Sequence, residues 1–137
     1  TQGVSSAASD VYKRQGIECA VITGRHSKMV LGRCDELGIQ HVFSGVKDKK
    51  SALEELLKRI TLNHENELAV MGDDWPDLAI MQKAGLRLAP AQAHPEVRQI
   101  AHYVTSANGG NGAVREVCDL ILKAQNHYDS LLAKARG

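Results

Sequence analysis

Aromatic side chains are scarce in this chain: one Trp, one Phe and three Tyr among 137 residues, 4% in all. Any core it builds is therefore aliphatic, drawn from the 43% of residues that are hydrophobic. No run of about 18 apolar residues is present to span a bilayer, and residues 1–15 hold no apolar stretch of the kind a secretory leader carries. Cysteine is also sparse. Cys19, Cys34 and Cys118 are an odd, scattered set with no Cys-x-x-Cys spacing, which argues against a disulfide scaffold or a zinc site. They suit reduced thiols, buried as small hydrophobes, in a cytoplasmic protein. Excess charge is missing too: 17 Lys and Arg face 16 Asp and Glu, a formal net charge of +1. Such a chain has no field to gather nucleic acid or an anionic membrane, so neither is an expected partner.

What the chain has is alternation. Short apolar runs and amphipathic stretches follow one another, and 137 residues suit one modest domain. Residues 18–23 read as a strand and 28–37 as a helix closed by Gly38. Residues 42–43 read as a second strand and 50–60 as a helix with Ala52, Leu53, Leu56, Leu57 and Ile60 on one side. A third strand over 68–71 leads to a helix over 76–84, opened by Pro76 and closed by Gly85. A fourth strand over 86–89, a helix over 95–101 and a short strand over 103–105 follow. Beyond Gly109-Gly110-Asn111-Gly112, apolar residues at 114, 117, 121, 124, 128 and 131 predict one long helix over 113–135. Strands alternating with helices imply an α/β domain, a Rossmann-like parallel sheet flanked by helices, which binds ligands beyond the carboxyl ends of its strands. Residues 1–15 are small and polar and stand outside the pattern. They are expected to be a foreign junction or an ordinary disordered tail, leaving 16–137 as the domain.

Two of those carboxyl ends carry chemistry. Leu68-Ala69-Val70-Met71-Gly72 runs into Asp73, Asp74 and Asp77, carboxylates of the kind that hold Mg²⁺, a hard cation that takes oxygen ligands. Asp74-Trp75-Pro76-Asp77 also reads as a helix cap with an acidic residue three positions on, which accounts for Asp74 or Asp77 without any metal. Val21-Ile22 runs into Thr23, Gly24 and Arg25: a hydroxyl, a flexible residue and a cation. Acid, hydroxyl and cation at neighbouring strand ends suggest a phosphate site. Thr23 equally reads as a turn-closing hydroxyl. Arg25 reads as a fork of donors for a carboxylate or phosphate, or as a surface cation. Lys47, Lys49 and Lys50 form a charge run that is either a solvated face or the source of one phosphate-neutralising amine. His94 before Pro95 reads as a capping or solvated residue more readily than a catalyst. Gly109–Gly112 is either an anion-cradling turn or a lid or subunit contact.

Residues 16–125 resemble the 3-deoxy-D-manno-octulosonate 8-phosphate phosphatases, a small-capped branch of the haloacid dehalogenase superfamily. The resemblance is carried by Val21-Ile22-Thr23-Gly24-Arg25, Gly72-Asp73-Asp74 with Asp77, Ala93-His94-Pro95, and Gly109-Gly110-Asn111-Gly112-Ala113-Val114-Arg115-Glu116-Val117-Cys118-Asp119. It implies Mg²⁺-dependent hydrolysis of a phosphorylated sugar acid. Thr23 would donate to a phosphoryl oxygen, Lys49 would neutralise phosphate and nucleophile, Gly24 and Arg25 would meet substrate, Asp73 would bind the metal, and Asp74 and Asp77 would assist. It also implies a homotetramer.

One part of that pattern is absent. The family's nucleophile lies in an Asp-x-Asp pair upstream of the Thr23 strand, and here the only aspartate before Thr23 is Asp10, with no partner two residues on. The nucleophile strand is expected to be missing and the chain inactive as it stands. The strands over 18–23 and 68–71 would then close on each other, or residues 1–15 would substitute as a strand, or the chain would be unstable and associate. Two other readings stay open: the phosphatase-like domain of a sugar-acid cytidylyltransferase fusion, and a non-catalytic assembly or phosphosugar-binding module.

Overall fold

A computed structural model describes residues 17–26, 28–36, 38–60, 67–124 and 128–137. The expectations for residues 1–15 lie outside these. Each predicted strand is present, three of them slightly trimmed, the second longer by one residue and the fourth as expected: β1 (Ala20–Ile22), β2 (His41–Phe43), β3 (Ala69–Met71), β4 (Leu86–Ala89) and β5 (Tyr103–Val104). Helices α1 (Lys28–Glu36), α2 (Lys49–Arg59), α3 (Leu78–Met81) and α4 (Pro95–Ile100) connect them, and α5 (Ala113–Ala124) and α6 (Tyr128–Arg136) follow.

Every ladder is parallel, as the alternation requires. β1 pairs with β2 in the register Ala20–His41, Val21–Val42 and Ile22–Phe43. β4 lies between β3 and β5. Among the described residues the two groups form separate sheets, and β1 and β3 share no ladder. Of the three outcomes expected for a missing nucleophile strand, closure of these two strands on each other is not seen among the described residues. Leu53 and Leu56 of α2 and Ile80 of α3 form one buried cluster, and Ile22 of β1, Phe43 of β2 and Val70 of β3 pack against it. Both sheets thus bury apolar surface against a cluster shared by two helices.

α2 starts at Asp48, whose carboxylate accepts from Lys50 N, Ser51 N and Ser51 Oγ. It ends on Lys58 and Arg59, cations placed where the helix dipole favours them. A second core sits over the three-stranded sheet, where Met81, Ala89, Ala93 and Val97 pack with Val70 and Leu78. No disulfide joins the cysteines: buried Cys34 and Cys118 fill aliphatic clusters, and Cys19 packs against both. Burial pushes the Cys34 thiol up.

One helix expectation needs correction. The stretch read as a helix over 76–84 is a 3₁₀ turn (Trp75–Asp77) followed by the single turn of α3. Asp74 and Asp77 form a reciprocal capping box around that turn, and Pro76, with no N–H to place, fits its start. Over the stretch read as one long helix, 113–135, the described residues are helical in α5 and α6, and residues 125–127 lie outside the described ones.

Candidate active site

β1 delivers Thr23, which is buried. Its N–H extends the β1–β2 pairing to Phe43 O (2.9 Å), and its carbonyl accepts from Val46 N (3.0 Å). The hydroxyl accepts from Arg25 N at 3.2 Å, closing a tight turn over Gly24. A Cβ at Gly24 would stand 3.4 Å from Val46 O. Gly45, at φ 65°, donates to Arg25 O, and a side chain there would collide with the His26 ring. The turn thus anchors the Arg25 backbone, and Arg25 lines an open cavity.

β3 ends at Gly72, where a side chain would run into Asp77 Cβ and Met81 Sδ. That packing demands the glycine before the acidic pair. Asp77 folds back under it, 6% exposed. One of its oxygens accepts from Lys49 Nζ at 2.6 Å. The other accepts from Asp73 N at 2.9 Å and Asp74 N at 3.3 Å. Burial alone would push the Asp77 carboxyl up; the Lys49 ammonium and the two backbone donors outweigh it, and the group lies below its ordinary range. Asp73 goes the other way. Burial first, then its hydrogen bond with Asp77 and the Asp77 charge, push its carboxyl up, with Lys49 only partly offsetting them. Asp77 is thus held by Lys49 and the backbone, and Asp73 is an acid whose ionised form an added cation would favour.

Arg25, Asp73, Asp74, Gln92 and His94 line a cavity of about 450 Å³. Asp74 also caps the 3₁₀ turn through Trp75 N (2.8 Å). His94 caps α4, as the simpler reading expected, with Nδ1 accepting from Glu96 N, and its own N–H donates to Asp73 O at 2.8 Å. Trp75 Nε1 donates to the same Nδ1, and the two rings meet edge to face at 5.3 Å.

Arg25, Asp73 and Asp74 therefore share the cavity, whereas Thr23, Gly24, Lys49 and Asp77 lie outside its lining. Asp77, expected to assist Asp73, has its two oxygens on Lys49 and on the backbone of Asp73 and Asp74, and so organises the loop that carries them. Of the three lysines, only Lys49 turns to this site; Lys47 and Lys50 are exposed. Gln92 was missed, although its place in the loop after a strand's carboxyl end was a usable signal.

The donors present fit Mg²⁺. Among the described residues no group of three His, Cys, Asp or Glu side chains converges to hold a metal alone. Mg²⁺ is commonly held by one or two carboxylates with waters and substrate phosphate, and Asp73 and Asp74 supply such a pair.

A parallel α/β arrangement with carboxylates beyond β3 and a cation beyond β1 facing one cavity is in keeping with a haloacid dehalogenase-like hydrolase, and the model of that family matches residues 41–117. Within that class, the chain belongs to the 3-deoxy-D-manno-octulosonate 8-phosphate phosphatase family. It is 49% identical over 113 residues to the Escherichia coli K12 enzyme of that name, covering 82% of this chain and 60% of the relative. The Yersinia pestis enzyme is 44% identical over 136 residues, 93% of this chain and 72% of the relative. The crystal structure of the Moraxella catarrhalis phosphatase, in complex with magnesium ion, phosphate ion and KDO, superposes with a TM-score of 0.89 at 43% identity, covering 94% of this chain and 74% of that one. The chain spans 60% of the length of the Escherichia coli relative.

Proposed function

We propose that this chain carries the cation- and phosphate-binding part of a phosphomonoesterase site for 3-deoxy-D-manno-octulosonate 8-phosphate. The observation that carries the reading is Asp73, a carboxylate raised by burial and by Asp77, lining a cavity with Asp74 and Arg25 in a chain of this family. Asp73 and Asp74 would hold Mg²⁺, which when bound offsets negative charge on the phosphoryl oxygens. Lys49 keeps Asp77 ionised, and Asp77 fixes the backbone of Asp73 and Asp74, so the acidic pair is set before ligand arrives. Thr23 accepts from Arg25 N, so the hydroxyl's own proton remains for a phosphoryl oxygen. Arg25 offers a planar set of donors to an anion in the cavity.

The sequence contains no Asp-x-Asp pair. A covalent aspartyl nucleophile divides a hard displacement into two easier ones, and positioning alone does not replace it. This chain therefore binds phosphate with Mg²⁺ and does not turn over the ester. The test is to titrate the purified chain with inorganic phosphate and Mg²⁺ while assaying phosphate release from the sugar phosphate. Mg²⁺-dependent binding that Asp73→Asn abolishes, without release, is expected. Turnover at a rate typical of such enzymes, about 1–1000 s⁻¹, lost in Asp73→Asn, would show that a nucleophile has been overlooked.

A further inference from the structure

The three cysteines take no part in the site above, yet the fold gathers them. Ile17, Cys19 and Val21 alternate along β1 and its lead-in, so they face one side of the strand, while Ile22 joins the cluster of α2 and α3 on the other. On the first side, Cys19 and Val21 pack against the cluster of Cys34, from α1, and Ile39. Cys19 also packs against Cys118 of α5, which among the described residues is the one buried member of its cluster. Val114 and Ile121 flank Cys118 there, and positions 114, 118 and 121 share one face of a helix. The face of α5 that carries Cys118 is therefore the face docked beside Cys19. Thr23 lies beyond the other end of β1, so this contact is separate from the cavity.

Surroundings rank the three thiols. Cys19 is half-buried, which lets a small oxidant reach it, and Cys118 is buried. Cys34 is buried beside Ile39, and that burial pushes its thiol up, leaving it little of the thiolate form that reacts. Nor do they make a metal site: among the described residues no three His, Cys, Asp or Glu side chains are placed to hold an ion.

We propose that Cys19 and Cys118 are an oxidisable pair, a peroxide-sensitive site whose disulfide fastens α5 to the leading end of β1. The Cys19 thiolate attacks one peroxide oxygen, the O–O bond breaks and hydroxide leaves, which gives a sulfenic acid at Cys19. Cys118 Sγ then attacks Cys19 Sγ. The S–S bond forms as the S–O bond breaks, and the departing hydroxide takes the Cys118 proton as water. Two thiols and one hydrogen peroxide thus give one disulfide and two waters, with sulfur oxidised and peroxide oxygen reduced. The link joins positions far apart in the chain, and a long closed loop takes the most freedom from the unfolded state.

The test uses the full chain, reduced with dithiothreitol, freed of it and treated with a stoichiometric amount of hydrogen peroxide. Non-reducing peptide mapping should give a peptide linked through Cys19 and Cys118, and the intact mass should fall by two hydrogens. Cys34 should remain open to alkylation once the chain is unfolded. The oxidised chain should melt about 5 °C or more above the reduced one, and dithiothreitol should restore the lower Tm. Cys19→Val, which suits a strand, should lose the link and the Tm shift together; Cys34→Ala should keep both. Cys118→Ala should stop at a sulfenic acid on Cys19 that dimedone traps, and should this variant not fold, Cys19→Val and the peptide map decide alone. Three intact thiols after peroxide overturn the proposal. So does a link from Cys19 to Cys34 or between two chains in place of Cys19 to Cys118, a linked chain that melts no higher, or a Tm shift that survives in Cys19→Val.

Discussion

Lys49 stands between two anions. Its ammonium rests 2.6 Å from Asp77 Oδ1, and the phosphatase reading asks it to meet phosphoryl oxygens as well; three donors on one nitrogen allow both. Lys49→Met leaves Asp77 buried with two backbone donors and no counter-charge. It should cost about 3 kcal/mol in urea unfolding, while Lys50→Met, on the exposed side, should stay within about 0.5 kcal/mol. Equal small effects would mean the pair is too well solvated to matter. Asp74→Ala should cost about 1 kcal/mol, the worth of a helix cap, in the same experiment. At this scale the sequence exposed Asp73, because an apolar run that ends in acid is hard to read otherwise. It did not expose what Asp77 does. An aspartate three residues after a cap reads the same whether it turns to backbone N–H groups, to a lysine or to a metal, and only the space beneath Gly72 decides. Gln92 was legible only through its place in the loop beyond β4, since one amide between two alanines has no pattern of its own.

The clamp at the start of α5 depends on protonation. Glu116 accepts from the Tyr103 hydroxyl at 2.7 Å and from the backbone of Ser106 and Ala107. The Tyr103 bond and then Ser106 hold its carboxyl below the ordinary 4.5, with burial opposing them. A carboxylate lowered in the folded state contributes stability that is complete above its ordinary range and is lost as pH falls through its own lower value. The partner phenol is raised above the ordinary 10, first by its bond to Glu116, then by burial and by the Glu116 charge. Its contribution is complete below 10 and is lost as pH rises through the raised value. Amide shifts of Ser106 and Ala107, followed by NMR, should therefore hold steady across neutral pH and move below pH 4.5 as the clamp lets go, and Glu116→Gln should remove that inflection. The elements around this clamp were legible in unequal measure. All five strands follow from apolar runs bounded by turn residues. The helical character of α5 and α6 follows from the apolar period over 114–131, whereas the 3₁₀ turn at Trp75–Asp77 does not, since a period reports a face and says nothing of the helix type.

Among the described residues the molecule is two parallel sheets that meet at one cluster built from α2 and α3. Ile22 and Phe43 from one sheet and Val70 from the other pack against Leu53, Leu56 and Ile80, so Leu53→Ala should destabilise by about 2–5 kcal/mol, as other buried truncations of this kind do. Loss of one half while the other remains folded, seen as separate transitions by two probes, would show that the cluster does not couple them. The fold class was readable from strand and helix alternation, but the separation of the sheets was not. Alternation states how strands connect and leaves their lateral neighbours open. The arrangement also orders events in time. Each sheet is assembled from neighbouring strands and a short crossover, contacts that a chain finds quickly, whereas the cluster of Leu53, Leu56 and Ile80 draws on both sheets and should close only after they form. The rate of folding should then be set by closure of that cluster: Leu53→Ala slows refolding, whereas Val97→Ala, inside the three-stranded half, mainly hastens unfolding.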